Sequence, residues 1–140
     1  MKSLFLDANI FFTATLSPNG GSSMLFELAK LGKVELSTSL YALNEAKRNI
    51  LRKVGRASLP RLYTLVSELK KIDQIKHSDE EIEKWTEWII LKDAPILNSA
   101  QFLKVEALIT LDKKDFKSSR MKNAPIRFKI LSPGELIQSL

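Results

Sequence analysis

The chain contains no cysteine, which removes disulfide frameworks and thiolate metal sites from consideration. It has one histidine, His77, just ahead of a helix start. Imidazole catalysis needs an oriented partner, so His77 reads as a loop or surface residue. Glycine and proline are sparse, five of each, and no repeat or low-complexity tract interrupts the pattern, as expected of a compact globule rather than a disordered chain. No stretch approaches the roughly twenty apolar residues of a membrane span. The apolar opening Ser3-Leu4-Phe5-Leu6 is cut by Asp7 and Asn9 before a secretory core can form. These absences predict a cytoplasmic protein with no membrane partner, folded as a single domain over residues 1–140.

What the chain has in excess is positive charge. Twenty-two lysines and arginines face 16 acids, a formal +6, which favours a polyanionic partner because neutralising phosphates releases counterions. The cations gather in two stretches, Lys47 to Arg61 and Lys113 to Lys129. Arg48, Arg52, Lys113 and Lys114 are the candidate nucleic-acid contacts, against the plain alternative that such runs are solvated faces.

Hydrophobic periodicity alternates between strand and helix. Strands are predicted near 3–6, 33–38, 72–76, 106–111 and 126–131. Helices are expected from Asn9, from a cap at Ser22 or Ser23, from Leu40 to Val54, from Ser58-Pro60 to about Lys71, from a capping box at Ser78 to Glu81, from Asp93 to about Lys104, after Asp112, and from Ser132. The turn Ser17-Pro18-Asn19-Gly20-Gly21 lacks the Gly-Lys-Ser/Thr ending of a phosphate loop. Ile82, Trp85, Trp88 and Ile89 share one helical arc and read as core.

Five acids stand out against this map: Asp7, Glu45, Asp93, Asp112 and Asp115. Each has a local explanation. Asp7, Asp93 and Asp112 suit helix caps, Asp115 suits a first turn, and Glu45 could pair with Arg48. Their joint placement argues otherwise. Asp7 and Asp112 close two apolar strands, and parallel strands deliver both side chains to the same edge of a sheet. Crowded carboxylates repel one another unless a cation intervenes, and an oxygen-rich cluster suits Mg²⁺ or Mn²⁺. Asn9, Thr13 and Thr110, beside the acids, are candidates to hydrogen-bond a water there or to satisfy local backbone.

The stretches Leu4-Phe5-Leu6-Asp7-Ala8-Asn9-Ile10, Leu43-Asn44-Glu45, Lys92-Asp93-Ala94-Pro95-Ile96-Leu97, Leu108-Ile109-Thr110-Leu111-Asp112-Lys113-Lys114-Asp115-Phe116 and Ile130-Leu131-Ser132-Pro133-Gly134-Glu135-Leu136 together resemble a PIN domain. This is a family of metal-dependent ribonucleases that includes toxins of toxin–antitoxin pairs. The resemblance implies a three-layer α/β/α fold with a parallel sheet of about five strands, order 3-2-1-4-5. It carries the catalytic acids onto Asp7, Glu45, Asp93 and Asp112, with Asp7, Asp93, Asp112 and Asp115 as metal ligands and Asn9 and Thr110 in support. Ala8 stands where a hydroxyl residue is common, and Leu111 where glycine usually precedes the fourth acid. The implied activity is hydrolysis of RNA by metal-activated water, and toxin membership would add an antitoxin and a homodimer. The alternative is a PIN-like RNA-binding or scaffold protein without turnover. A receiver domain is a more distant rival, lacking here an acid pair on strand one and an acid closing the predicted third strand.

Overall fold

A computed structural model describes residues 2–140. Five parallel strands, β1 (Lys2–Leu6), β2 (Val34–Ser39), β3 (Lys71–Asp73), β4 (Ala107–Ile109) and β5 (Lys129–Leu131), form one sheet in the order 3-2-1-4-5, the order that the PIN resemblance implies. Around it lie α1 (Ala8–Leu16), α2 (Gly21–Lys30), α3 (Leu40–Lys53), α4 (Leu59–Val66), α5 (Asp79–Glu83), α6 (Ala94–Phe102), α7 (Lys113–Phe116) and α8 (Pro133–Gln138). Leu4, Phe5 and Leu6 are all fully buried, although side chains alternate faces along a strand. β1 is therefore covered on both sides, as a central parallel strand must be. Ser37 and Thr38 add to its fixing, their hydroxyls donating to the Leu4 and Leu6 carbonyls at 2.8 and 2.7 Å.

Several local expectations shift. Neither Ser22 nor Ser23 caps α2. The helix begins from Gly20, both serines are buried inside it, and the Ser23 hydroxyl turns back to the Ala14 and Ser17 carbonyls. α4 stops at Val66 and not near Lys71, because the Lys70 amide leaves to bond the Leu36 carbonyl at 2.7 Å and starts β3 beside β2. The third strand consequently closes on Asp73 and not near Lys76. On α3 the buried stripe is Ala42, Ala46 and Ile50, with Leu43 half-buried and Val54 exposed. Ser78 caps α5 through the Glu81 amide, but the Glu81 side chain goes to His77 and Asn98, so the capping box is half made. The reciprocal box forms instead at Ser132 and Glu135. Beyond Glu83 the chain tightens into a 3₁₀ turn over Lys84–Glu87 that buries Trp85. Its indole donates to the Asn98 side chain at 2.9 Å.

α2 and α6 end alike. After α2, Gly32 (φ 74°) sends its amide to Ala29, and the Lys33 amide reaches Leu28. After α6, Lys104 (φ 57°) does the same to Gln101, and Val105 reaches Ala100. This double bond closes a helix through a left-handed residue, normally glycine.

Candidate functional site

The topology brings Asp7 and Asp112 to the carboxyl edge of the sheet. Asp7 follows β1 directly, and its amide continues the ladder to the Ile109 carbonyl at 3.0 Å. Its carboxylate is fully engaged: Oδ1 accepts from the Ala8 amide at 2.8 Å, and Oδ2 from the Thr110 hydroxyl at 2.7 Å and the Asn9 amide at 3.2 Å. Asn9 also donates to Thr110 and accepts from the Leu111 amide. Thr110 in turn accepts from the Asp112 amide. One web thus ties the ends of β1 and β4 together. Thr13 makes no side-chain hydrogen bond to it.

The same bonds account for the two departures from the usual pattern. Ala8 is buried, with no room needed for a hydroxyl because Asn9 and Thr110 supply the polar contacts to Asp7. The Leu111 side chain is exposed while its amide is held by Asn9, so nothing crowds the position where glycine is common.

Asp93, Asp112 and Asp115 come closest together: each offers a carboxylate oxygen, and these lie within 4.8 Å of one another. Asp112 caps α7 through the Asp115 amide at 3.0 Å, which draws Asp115 inward. Asp93 does not cap. It occupies the residue before α6, but its side chain bonds no helix amide, and its buried Oδ2 has no hydrogen-bond partner. What it faces instead is the Asp115 carboxyl group. A carboxylate oxygen left without a donor in a buried place carries a substantial desolvation cost. A cation held against it would remove that cost.

Titration follows from this crowding. Burial pushes Asp93 up to about 7, against a smaller opposing pull from Lys92, and the charges of Asp7 and Asp112 and the contact with Asp115 add to the rise. Asp7 is pushed up to about 6, again chiefly by burial. Its bonds from Thr110 and Ala8 offset part of the shift, and Glu45 and Asp112 contribute repulsion. Glu45, half-buried on α3, makes no ion pair with Arg48. It faces the acids across the site, and its charge is felt at both Asp7 and Tyr41.

All five acids therefore share one edge, though with different standing: a tight trio, a braced Asp7 and a flanking Glu45. Asn9 and Thr110 brace Asp7. Arg48, Arg52, Lys113 and Lys114 are exposed and form no salt bridge. Two residues were underrated by sequence reasoning. Tyr41, on the first turn of α3, donates its hydroxyl to the Lys92 carbonyl, next to Asp93. It stands four residues before Glu45, a spacing that places both on one helix face and would have marked it. His77 is no surface residue. Its imidazole is 8% exposed and lies between Asp73 (Nε2 to Oδ2, 2.8 Å) and Glu81 (Nδ1 to Oε2, 3.2 Å), edge-on to Phe102. Burial works to raise the Asp73 carboxyl group, but bonds from His77, Ser99 and the Ile75 amide hold it below the ordinary carboxylate range.

The sheet order and its flanking helices are those of a PIN-type α/β fold. No protein-family model and no curated protein matches the sequence, whereas solved structures do. A chain of the VapBC2 complex of Rickettsia felis, bound to a DNA fragment from its promoter, superposes with a TM-score of 0.70 at 21% identity, over 93% of this chain and 98% of that one. A toxin–antitoxin complex from Klebsiella pneumoniae gives 0.64 at 22% identity, over 93% and 97%. VapC20 of Mycobacterium tuberculosis, described as a toxin that cleaves the sarcin–ricin loop, gives 0.58 at 14% identity, over 79% and 91%. The chain has the PIN fold that the VapC toxins share.

Proposed function

We propose that the protein is a divalent-metal-dependent endoribonuclease, a single PIN-like domain acting in the cytoplasm as the toxin of a toxin–antitoxin pair. The observation that carries the reading is the buried, donorless Oδ2 of Asp93, on a carboxyl group that gathers with those of Asp112 and Asp115. Helix capping explains Asp7 and Asp112 in part, but it leaves Asp93 unexplained. An all-oxygen donor set suits Mg²⁺ or Mn²⁺. Asp93, Asp112 and Asp115 would hold the ion, with Asp7 beside them and Glu45 at the flank.

When bound, such an ion supplies a Lewis acid that makes water nucleophilic at neutral pH and offsets charge on the reacting phosphate. The chain's own residues do the rest. Thr110 and Asn9 hold Asp7 in one orientation, so that its carboxylate is fixed beside the acids that would hold the ion. Tyr41 ties α3 to the backbone that carries Asp93, keeping Glu45 and Asp93 in step. Arg48, Arg52, Lys113 and Lys114 would draw in the RNA backbone and balance the acids' repulsion of phosphate. Single-stranded or looped RNA suits an open edge of this kind. The kinship in fold with toxin–antitoxin complexes supports an antitoxin partner, and toxin membership would add a homodimer.

Incubation of the purified protein with total RNA and Mg²⁺ or Mn²⁺, with the new ends mapped, tests the reading. We expect EDTA-sensitive cleavage leaving 5′-phosphate and 3′-hydroxyl ends. Cleavage should continue when only the nucleotide at the scissile bond is 2′-deoxy, since attack by water does not need that hydroxyl. Cyclic 2′,3′-phosphates made without metal would overturn the mechanism, and RNA binding without any cleavage would support the scaffold alternative.

A further inference from the structure

Beside the acids, and separated from them by the Tyr41 wall, lies a second cleft of about 260 Å³ lined by Leu40, Tyr41, Asn44, Ile75, His77 and Pro95, among others. It opens between the start of α3, the segment after β3 and the first turn of α6. Two of its residues adjoin the acidic edge in sequence, Asn44 next to Glu45 and Pro95 two beyond Asp93. The Tyr41 hydroxyl is bonded to the carbonyl of Lys92, the residue before Asp93.

Its walls and rim differ in character. The floor is satisfied: Asp73 and His77 line it and are bonded to each other, and the chain of hydrogen bonds runs on behind them through Glu81, Asn98 and Trp85. The rim is apolar and exposed. Leu40 is 45%, Tyr41 37% and Ile75 56% accessible, unusual for side chains that a neighbouring core could have covered. Interspersed are free polar groups. Among the described residues, neither the Asn44 nor the Gln74 side chain makes a hydrogen bond, and Lys76 is unpaired. Such a mix matches one class of ligand: a flat apolar face to stack, edge groups that both donate and accept, and a nearby cation for the attached phosphate. The volume is below the roughly 300–1,000 Å³ of sites for drug-sized ligands, so it takes one heterocycle and not a folded segment.

We propose that this cleft is a nucleobase subsite, which receives one unpaired base of the RNA strand whose phosphate lies at the acidic edge. Tyr41 is the shared wall, offering its ring to the base, while the Asn44 and Gln74 amides face the base edge. The ligand's identity rests on the ribonuclease reading; its binding needs no turnover.

The test is an NMR titration of the metal-free protein in EDTA with adenosine, cytidine and uridine, and separately with ribose 5-phosphate. The expected result is saturable shifts at Asn44 and Ile75 and at the imidazole of His77, the chain's sole histidine, with at least one nucleoside. Ribose 5-phosphate should leave all three in place. Tyr41→Ala should weaken binding by about fivefold or more, from lost stacking, whereas Tyr41→Phe should bind within about twofold of wild type because the ring remains. Ile75→Ser, at an exposed position, gives a second loss-of-binding variant should Tyr41→Ala fail to fold. No saturable shift at these residues, or equal shifts with ribose 5-phosphate, would overturn the proposal. Absence of RNA cleavage by the wild-type protein would strike the ribonuclease reading alone, since the nucleoside titration reads the cleft independently.

Discussion

Asp93 separates a structural from a chemical account of the acids. Its sequence position before Ala94-Pro95 suits a helix cap, yet the side chain caps nothing and keeps a buried oxygen without a donor. No periodicity could reveal that, because it depends on how α6 seats against β2 and α3. Asp7 and Asp112, in contrast, were legible as acids closing apolar strands. His77 was not, since its two carboxylate neighbours, Asp73 and Glu81, are fixed only by the early end of β3 and the half-made capping box. Asp7→Asn and Asp112→Asn should each abolish metal-dependent cleavage while leaving the far-UV spectrum and RNA binding largely intact; unchanged turnover in both would refute the assignment. Proton linkage gives a second expectation. Asp7 and Asp93 are raised to about 6 and about 7, so the fold favours their protonated forms. The stability this contributes is fully present below the ordinary carboxylate value of 3.8 and is lost as pH rises through 6 and 7. Urea melts of the metal-free protein should therefore show the carboxylate contribution falling as pH rises from about 4 to about 7 and level above that. Mg²⁺ or Mn²⁺ should restore it at the upper end, and a metal-insensitive, flat profile would contradict the site.

At the scale of elements, the five strands and the eight helices follow from alternating periodicity and caps, the strand order came only with the PIN resemblance, and the ends follow from neither. β4 and β5 are only three residues each, shorter than their apolar runs, because β4 pairs with β1 on one side and β5 on the other only over residues 107–109 before the chain turns to place Thr110 and Asp112. α4 was overextended because Leu69 and Ile72 continue its apolar pattern, and only competition from the Leu36 carbonyl ends it. Composition also conceals the stop of α6. Lys104 holds a left-handed conformation that glycine holds in the equivalent turn after α2. Relief of the side-chain penalty exceeds the added unfolded-chain freedom at such a position, so Lys104→Gly should raise stability by about 1 kcal/mol, read as a shift in the urea midpoint at constant slope. A loss of stability would mean that the lysine side chain contributes a contact outweighing its backbone strain.

Across the whole molecule, charge is distributed with little internal compensation. Apart from the His77 contacts, the salt bridges among the described residues are Lys30 with Glu27 and Lys117 with Glu135. The remaining cations are available to a polyanion, as the composition alone implied, but their arrangement around the acidic edge required the fold. If Arg48, Arg52, Lys113 and Lys114 each neutralise one phosphate, the logarithm of the affinity for single-stranded RNA should fall with the logarithm of salt at a slope of about −3. Fluorescence anisotropy with the Asp7→Asn variant, which prevents turnover, would measure it, and a slope near zero would remove these residues from the interface.

The first strand of the chain lies at the centre of the sheet, between β2 and β4. Its pairing with β4 joins residues about a hundred positions apart, such as Leu4 with Ala107. Long-range parallel pairing carries a large loop-closure cost and folds slowly. Until β4 docks, Asp7 has neither Thr110 to orient it nor Asp112 beside it, so the acidic edge is among the last features to assemble. A chain still emerging from the ribosome has six of its eight helices and three of its five strands before β4 brings Asp112 and Asp115 to Asp93. If the chain is the ribonuclease proposed above, its activity would arrive only with completion of the fold, which would spare the RNA that is being translated to make it.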